Sequence, residues 1–213
     1  MIRYRFTAAW RLAAALTLAS AFFPAFAFEA GEPVAPVQVA DRGELVLEQG
    51  ALRYRPWSSA ELAGSVGVVL HVAGRLSARD LNAPIIEAIE AADFPSERFQ
   101  ATTIVNTDDA VFGSSMFVRK SVESSKRDVP EMQFVVDEDS AVQSAWNLAR
   151  GGSAVVVHDA AGRVRFAKDG PLTLYEVNHV MDLLSAMLDP AEQEPSALAP
   201  NGPSADGLAR NEH

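Results

Sequence analysis

Cysteine is missing from all 213 residues of the chain. Its absence excludes disulfides, thiol nucleophiles, iron–sulfur clusters, cysteine-ligated zinc and lipid attachment to a thiol. Positive charge is scarce as well. Eighteen Lys and Arg face 28 Asp and Glu, a formal charge of −10 at neutral pH. So acidic a surface is repelled by phosphate backbones and by anionic headgroups, which argues against nucleic acid and peripheral membrane binding. Long apolar runs are absent too. The longest, residues 12–23, has 12 residues including Thr17 and Ser20, against the roughly 20 that a spanning helix needs. No stable membrane insertion is therefore expected.

That apolar stretch has the form of an export signal. Arg3, Arg5 and Arg11 give a basic start, and Ala25-Phe26-Ala27 supplies a small-x-small cleavage pattern. Cleavage after residue 27 leaves 186 residues. It removes three arginines and no acid, taking the net charge from −10 to −13. The expected location is the periplasm. At the other end, residues 189–213 hold four of the twelve prolines and no Val, Ile, Phe, Trp or Tyr. They lack the apolar content to offset ordering entropy, so a disordered acidic tail is expected. One domain, 28–188, remains.

Between these ends strands alternate with helices. Residues 45–54 form an opening strand or hairpin turning near Gly50, and Ser58 with Glu61 has capping-box spacing. Residues 66–73 (VGVVLHVA) are a continuous apolar run of the kind buried on both faces of a sheet. Asn82 and Pro84 open a helix bearing Ile85, Ile86 and Ile89. Residues 101–106, 132–136, 154–158 and 163–166 read as further strands. The last two are joined by Asp159-Ala160-Ala161-Gly162, and 154–158 is expected to run parallel. A polar helix fills 114–129. Ser140 with Gln143 caps the helix of Trp146, and Thr173 with Glu176 caps a last one striped by Leu174, Val177, Met181, Leu184 and Leu188. The fold class is α/β: a central mixed sheet, helices on both faces, and a closing hairpin plus helix.

The stretch MQFVVDEDSAVQSAWNLARGGSAVVVHDAAGRVRFAKDGPLT resembles the second half of peroxiredoxin- and TlpA-like members of the thioredoxin fold. More narrowly, DRGELVLEQG, HVAGR, TTIVNTDDA, GSSMFVRKSVES and AVVVHDAAGRVRFAKDG resemble the YtfJ family of exported bacterial proteins, over roughly residues 29–188. The resemblance implies a thioredoxin-like fold in which the reactive thiol would follow the strand at 66–73. Gly74-Arg75-Leu76-Ser77-Ala78-Arg79-Asp80 occupies that place, with no thiol in it. The cis-proline position of such folds is held by Ser153 or Ala154. Disulfide exchange and thiol peroxidase chemistry are chemically impossible for this chain.

Ligands of open α/β sheets sit beyond the carboxyl ends of the strands. The tips there carry Arg75, Asn106, Asp108, Asp109 and Ser153, a candidate site for a small polar ligand; the same residues also serve turns and ion pairs. His71, His158 and Asp159 form a second, metal-binding candidate if the two histidine strands are neighbours, with core or rim histidines as the alternative. Neither Gly113-Ser114-Ser115 nor Asp137-Glu138-Asp139 has phosphate-loop or EF-hand spacing. No cofactor is implied. Two functional readings stand: a binding or accessory protein of the cell envelope, its partner an envelope protein or a small polar ligand, and a cysteine-independent enzyme assisted by a metal.

Overall fold

A computed structural model of the chain describes residues 28–189. The expected export segment 1–27 and all but the first residue of the expected tail lie outside the described residues. Seven strands form one mixed sheet in the order β2-β1-β5-β4-β3-β6-β7. The antiparallel pair β1 (Gln38–Glu48) and β2 (Ala51–Ser58) turns at Gln49-Gly50. The middle strands β3 (Val66–Ala73), β4 (Phe99–Asn106) and β5 (Gln133–Asp137) are parallel. The closing hairpin is β6 (Ser153–His158) and β7 (Val164–Asp169).

Strand β6 runs antiparallel to β3, not parallel as its apolar run suggests. The helix preceding it explains the difference. Helix α4 (Ala141–Ala145) has five residues, a rise of about 7.5 Å. The helix makes no return crossing of strands spanning about 26 Å, and the chain re-enters the sheet at the end where β5 stops.

Helices α1 (Leu76–Asp80), α2 (Ala83–Ala92), α3 (Ser115–Asp128) and α5 (Leu174–Leu188) contribute to one side. There Leu70, Val72, Val155 and Val157 meet Ile85, Val180 and Leu184. The α5 stripe is Val177, Val180, Leu184 and Leu188, while Leu174 is exposed in the first turn. On the other side α4 and the segment before β1 cover Val69, Ile104, Val135 and Val156 with Trp57 and Trp146. Each such fully buried aliphatic side chain contributes about 1.5–3 kcal/mol. The Trp146 indole N–H donates to the Ala35 carbonyl at 2.9 Å, which ties the entering segment to α4.

Capping follows the sequence at two sites of four. Both halves of the Ser58/Glu61 and Thr173/Glu176 boxes are present. Asn82 and Ser140 stand at helix starts but direct their side chains elsewhere. Asp137 caps α4 instead, its two carboxylate oxygens accepting the N–H groups of Ala141 (2.9 Å) and Val142 (2.8 Å). Among the described residues no helix is long and apolar enough to cross a membrane.

Candidate functional site

The parallel strands end together, and their tips meet the loop that enters β6. Gly74 follows β3 at a point where a Cβ would lie 2.9 Å from the Asn106 carbonyl oxygen and 3.0 Å from Ala110 Cβ. The Gly74 N–H donates to that carbonyl at 2.8 Å, and Ala73 N–H donates to Gly152 O at 3.0 Å. Only a residue without a side chain allows so close an approach. The turn delivers Arg75 onto the loop after β4.

Asp109 is the centre of the cluster and almost fully buried. Its Oδ1 accepts from Arg75 Nη2 at 2.7 Å, and Arg75 Nε donates to the Asp109 carbonyl at 2.7 Å. Its Oδ2 accepts from the Gly151 N–H and, at 3.4 Å, from Gln143 Nε2. Burial pushes the Asp109 carboxyl up. The Gly151 N–H, Arg75 and Arg150 outweigh it and hold the group below the usual carboxylate range. Asn106 accepts the Asp109 N–H at 3.2 Å and donates to Ser140 Oγ (3.0 Å) and Gln143 Oε1 (3.3 Å). Ser140 in turn donates to Asp108 Oδ2 at 2.9 Å. Arg150 lies 3.8 Å from both Asp108 and Asp109.

Four of the five sequence candidates thus come together: Arg75, Asn106, Asp108 and Asp109. Ser153 does not join them. It pairs with Val72, whose side chain belongs to the opposite face of the sheet, and there accepts from Asn82 Nδ2 at 3.0 Å. Asn82 Oδ1 accepts the Leu172 N–H at 3.0 Å, so that pair fastens α2 to the loop before α5. Gln143, Gly151 and Arg150 are members that sequence reasoning missed. Gln143 has helix-cap spacing in the sequence, and only chain geometry shows that it faces Asn106 and Asp109.

The metal candidates are dispersed. In the β3–β6 register His158 faces Gly67 and His71 faces Ala154, four residues or about 13 Å apart along β3. Asp159 Oδ1 accepts the N–H groups of Ala161 and Arg163 in the β6–β7 turn. Among the described residues no three His, Asp or Glu side chains form a metal-sized group. Burial lowers the pKa of both imidazoles, that of His71 to about 4, with Asp109 pulling it partly back. Ser114 Oγ donates to the Val111 carbonyl at 2.6 Å, and Glu138 pairs with Arg42 at 3.1 Å; both side chains have local partners.

On the α2/α3 side an apolar cleft of about 770 Å³ begins at Gly74 and Arg75. Leu70, Val72, Thr103, Val105 and Phe134 form its floor. Ile86 of α2 stands on one wall and Val118 and Val122 of α3 on the other, while Leu76, Val111 and Phe117 rim its mouth. Leu76 is 80% and Phe117 73% exposed. Nothing in the sequence marks this feature, because three strands and three helices each supply only part of it.

The model of a family described as "Bacterial protein of unknown function (YtfJ_HI0045)" matches residues 28–187. The chain belongs to the YtfJ family. "Uncharacterized protein YtfJ" of Escherichia coli K12 is 53% identical over 161 residues, covering 76% of this chain and 88% of that protein. An uncharacterized protein of Haemophilus influenzae is 41% identical over 151 residues, 71% of this chain and 82% of its own length. The YtfJ fold is thioredoxin-like. A putative thiol:disulfide interchange protein DsbE from Chlorobium tepidum superposes with a TM-score of 0.51 at 15% identity, over 76% of this chain and 99% of its own. The thioredoxin-like superfamily protein SPOA0173 superposes with 0.52 at 17% identity, over 72% and 97%.

Proposed function

We propose that this YtfJ-family chain is an exported, non-redox binding or accessory protein of the cell envelope, which uses the strand-tip end of the sheet as its working face. One observation carries the reading. The strand-tip cluster is matched internally, each Asp109 oxygen already accepting from a protein donor, while the adjoining cleft is open and rimmed by exposed apolar side chains. A buried carboxylate so committed serves neither as a general base nor as a ligand, whereas an exposed apolar rim marks a binding surface. Ser77, the hydroxyl nearest the thiol's place, is exposed on α1 and has no hydrogen-bonded base among the described residues. Periplasmic location rests on the basic, apolar and small-x-small order of residues 1–27.

The test has two parts. Osmotic-shock fractionation with N-terminal mass analysis is expected to find the chain in the periplasm, starting at Phe28. A photo-cross-linking benzophenone amino acid in place of Leu76 is expected to capture a partner molecule in cells, whereas one in place of Arg53, on the edge strand β2, is not. Cytoplasmic retention of the intact chain, or equal capture at both positions, overturns the reading.

A further inference from the structure

The cleft has a shape and a charge order that specify its occupant. Its α3 wall, from Ser114 to Val129, spans sixteen residues, fifteen helical steps or about 22 Å. Its floor runs from β3 to β5, two strand spacings or about 10 Å, and side chains of both α2 and α3 line it. An α-helix with side chains is about 10–12 Å across, the whole width of that floor, whereas a single extended alkyl chain is far narrower. At about 1.25 Å per carbon, from C–C bonds of about 1.5 Å meeting near 111°, sixteen carbons reach roughly 19 Å. The 770 Å³ volume lies inside the range of roughly 300–1,000 Å³ typical of small-molecule sites.

Charge sets the direction. Arg79 lines the upper end next to Arg75 and makes no ion pair or side-chain hydrogen bond with any described residue. Arg75 is held by Asp109 yet keeps 38% of its side chain exposed. Glu90, in the last turn of α2, lines the opposite end. A carboxylate is attracted to the arginine end and repelled from the glutamate end. Apolar residues occupy the length between, and Leu76 and Phe117 flank the entry.

We infer that the cleft binds one long-chain fatty acid, its carboxylate at Arg79 and its chain laid between α2 and α3 toward Val129 and Met132. The inference rests on the binding reading above and names the ligand of that face. Ser77 lines the same end and offers a hydroxyl donor beside the carboxylate.

The experiment is calorimetric titration of the delipidated full chain with hexadecanoate below its micellar concentration at pH 8. One saturable site per chain is expected. Octanoate, too short to span the cleft, binds at least tenfold more weakly. Hexadecyltrimethylammonium, with the same tail and the opposite charge, is likewise weaker. Arg79→Ala weakens hexadecanoate binding at least fivefold. Ser121→Trp, which fills the cleft from an exposed α3 position, weakens it at least twentyfold with an unchanged urea midpoint. Leu76→Glu, at an exposed rim position that folding does not need, gives a second blocked variant. No saturable binding, or binding indifferent to both blocking variants, overturns the inference. If hexadecanoate fails to bind while the cross-linker at position 76 still captures a protein, the fatty-acid assignment falls and the binding reading stands. If neither occurs, both fall.

Discussion

Acidification is expected to weaken this protein through His71. The side chain is 2% exposed in the middle of β3, and its Nε2 has no hydrogen-bond partner. Burial lowers its pKa from 6.5 to about 4, and the neighbouring Asp109 charge offsets only part of that. The unfolded chain takes up a proton near pH 6.5 while the native chain refuses it until about pH 4. Native stability is therefore intact above pH 6.5 and declines as pH falls through that window. The displacement from 6.5 to about 4 corresponds to roughly 3 kcal/mol in total, most of it lost by pH 4.5. The assay is urea unfolding followed by fluorescence of the buried Trp57 and Trp146 at pH 7.5, 6.5, 5.5 and 4.5. His158 is shifted in the same direction, so the informative quantity is wild type minus His71→Leu at each pH. That difference is expected to fall by roughly 2–3 kcal/mol between pH 7.5 and 4.5. Parallel pH curves for the two proteins, or an NMR titration of His71 with a midpoint near 6.5, would refute the reasoning.

Three further perturbations probe separate contacts. Asp109→Ala leaves the Gly151 N–H and Arg75 Nη2 without their carboxylate acceptor and is expected to cost about 2–3 kcal/mol; a urea midpoint within error of wild type would show that the clasp is structurally idle. Gly67→Ala puts a methyl 2.5 Å from His158 Nε2 and 2.6 Å from the Gln100 carbonyl, a strain of about 1–3 kcal/mol. In a double-mutant cycle His158→Ala is expected to relieve part of it, and strict additivity would contradict that geometry. Thr173→Ala removes the side chain that accepts the Glu176 N–H at the start of α5 and is expected to lower stability by about 1 kcal/mol in thermal unfolding.

Much of the fold was legible because its signals are local. Apolar runs such as VGVVLHVA report burial on both faces, and Thr173 with Glu176 reports a helix start three residues wide. The direction of β6 was not local. It depended on the end of the sheet at which the chain re-enters after α4, and the run AVVVH looks the same whichever way it points. The site divides in the same way. The Asn106-Thr107-Asp108-Asp109 tip and Arg75 stood out as polar residues at strand ends, but their partners Gln143 and Gly151 lie 34 and 42 residues from Asp109. Ser153, at the start of a strand, shares the cluster's place in the sequence pattern. Strand alternation places its side chain on the other face.

The sequence by itself determined the chemistry this protein lacks. With no cysteine among 213 residues, no arrangement of the chain can exchange a disulfide, because that reaction needs a thiolate. It also determined an α/β sheet, since the alternation of apolar strands and capped helices is written residue by residue. Tertiary structure alone decided what fills the thiol's place and what lies open beside it. The Arg75–Asp109 clasp and the cleft between α2 and α3 each join segments distant in the chain. Matched charges and a shared hollow exist only once those segments are packed, and no local pattern of residues encodes them.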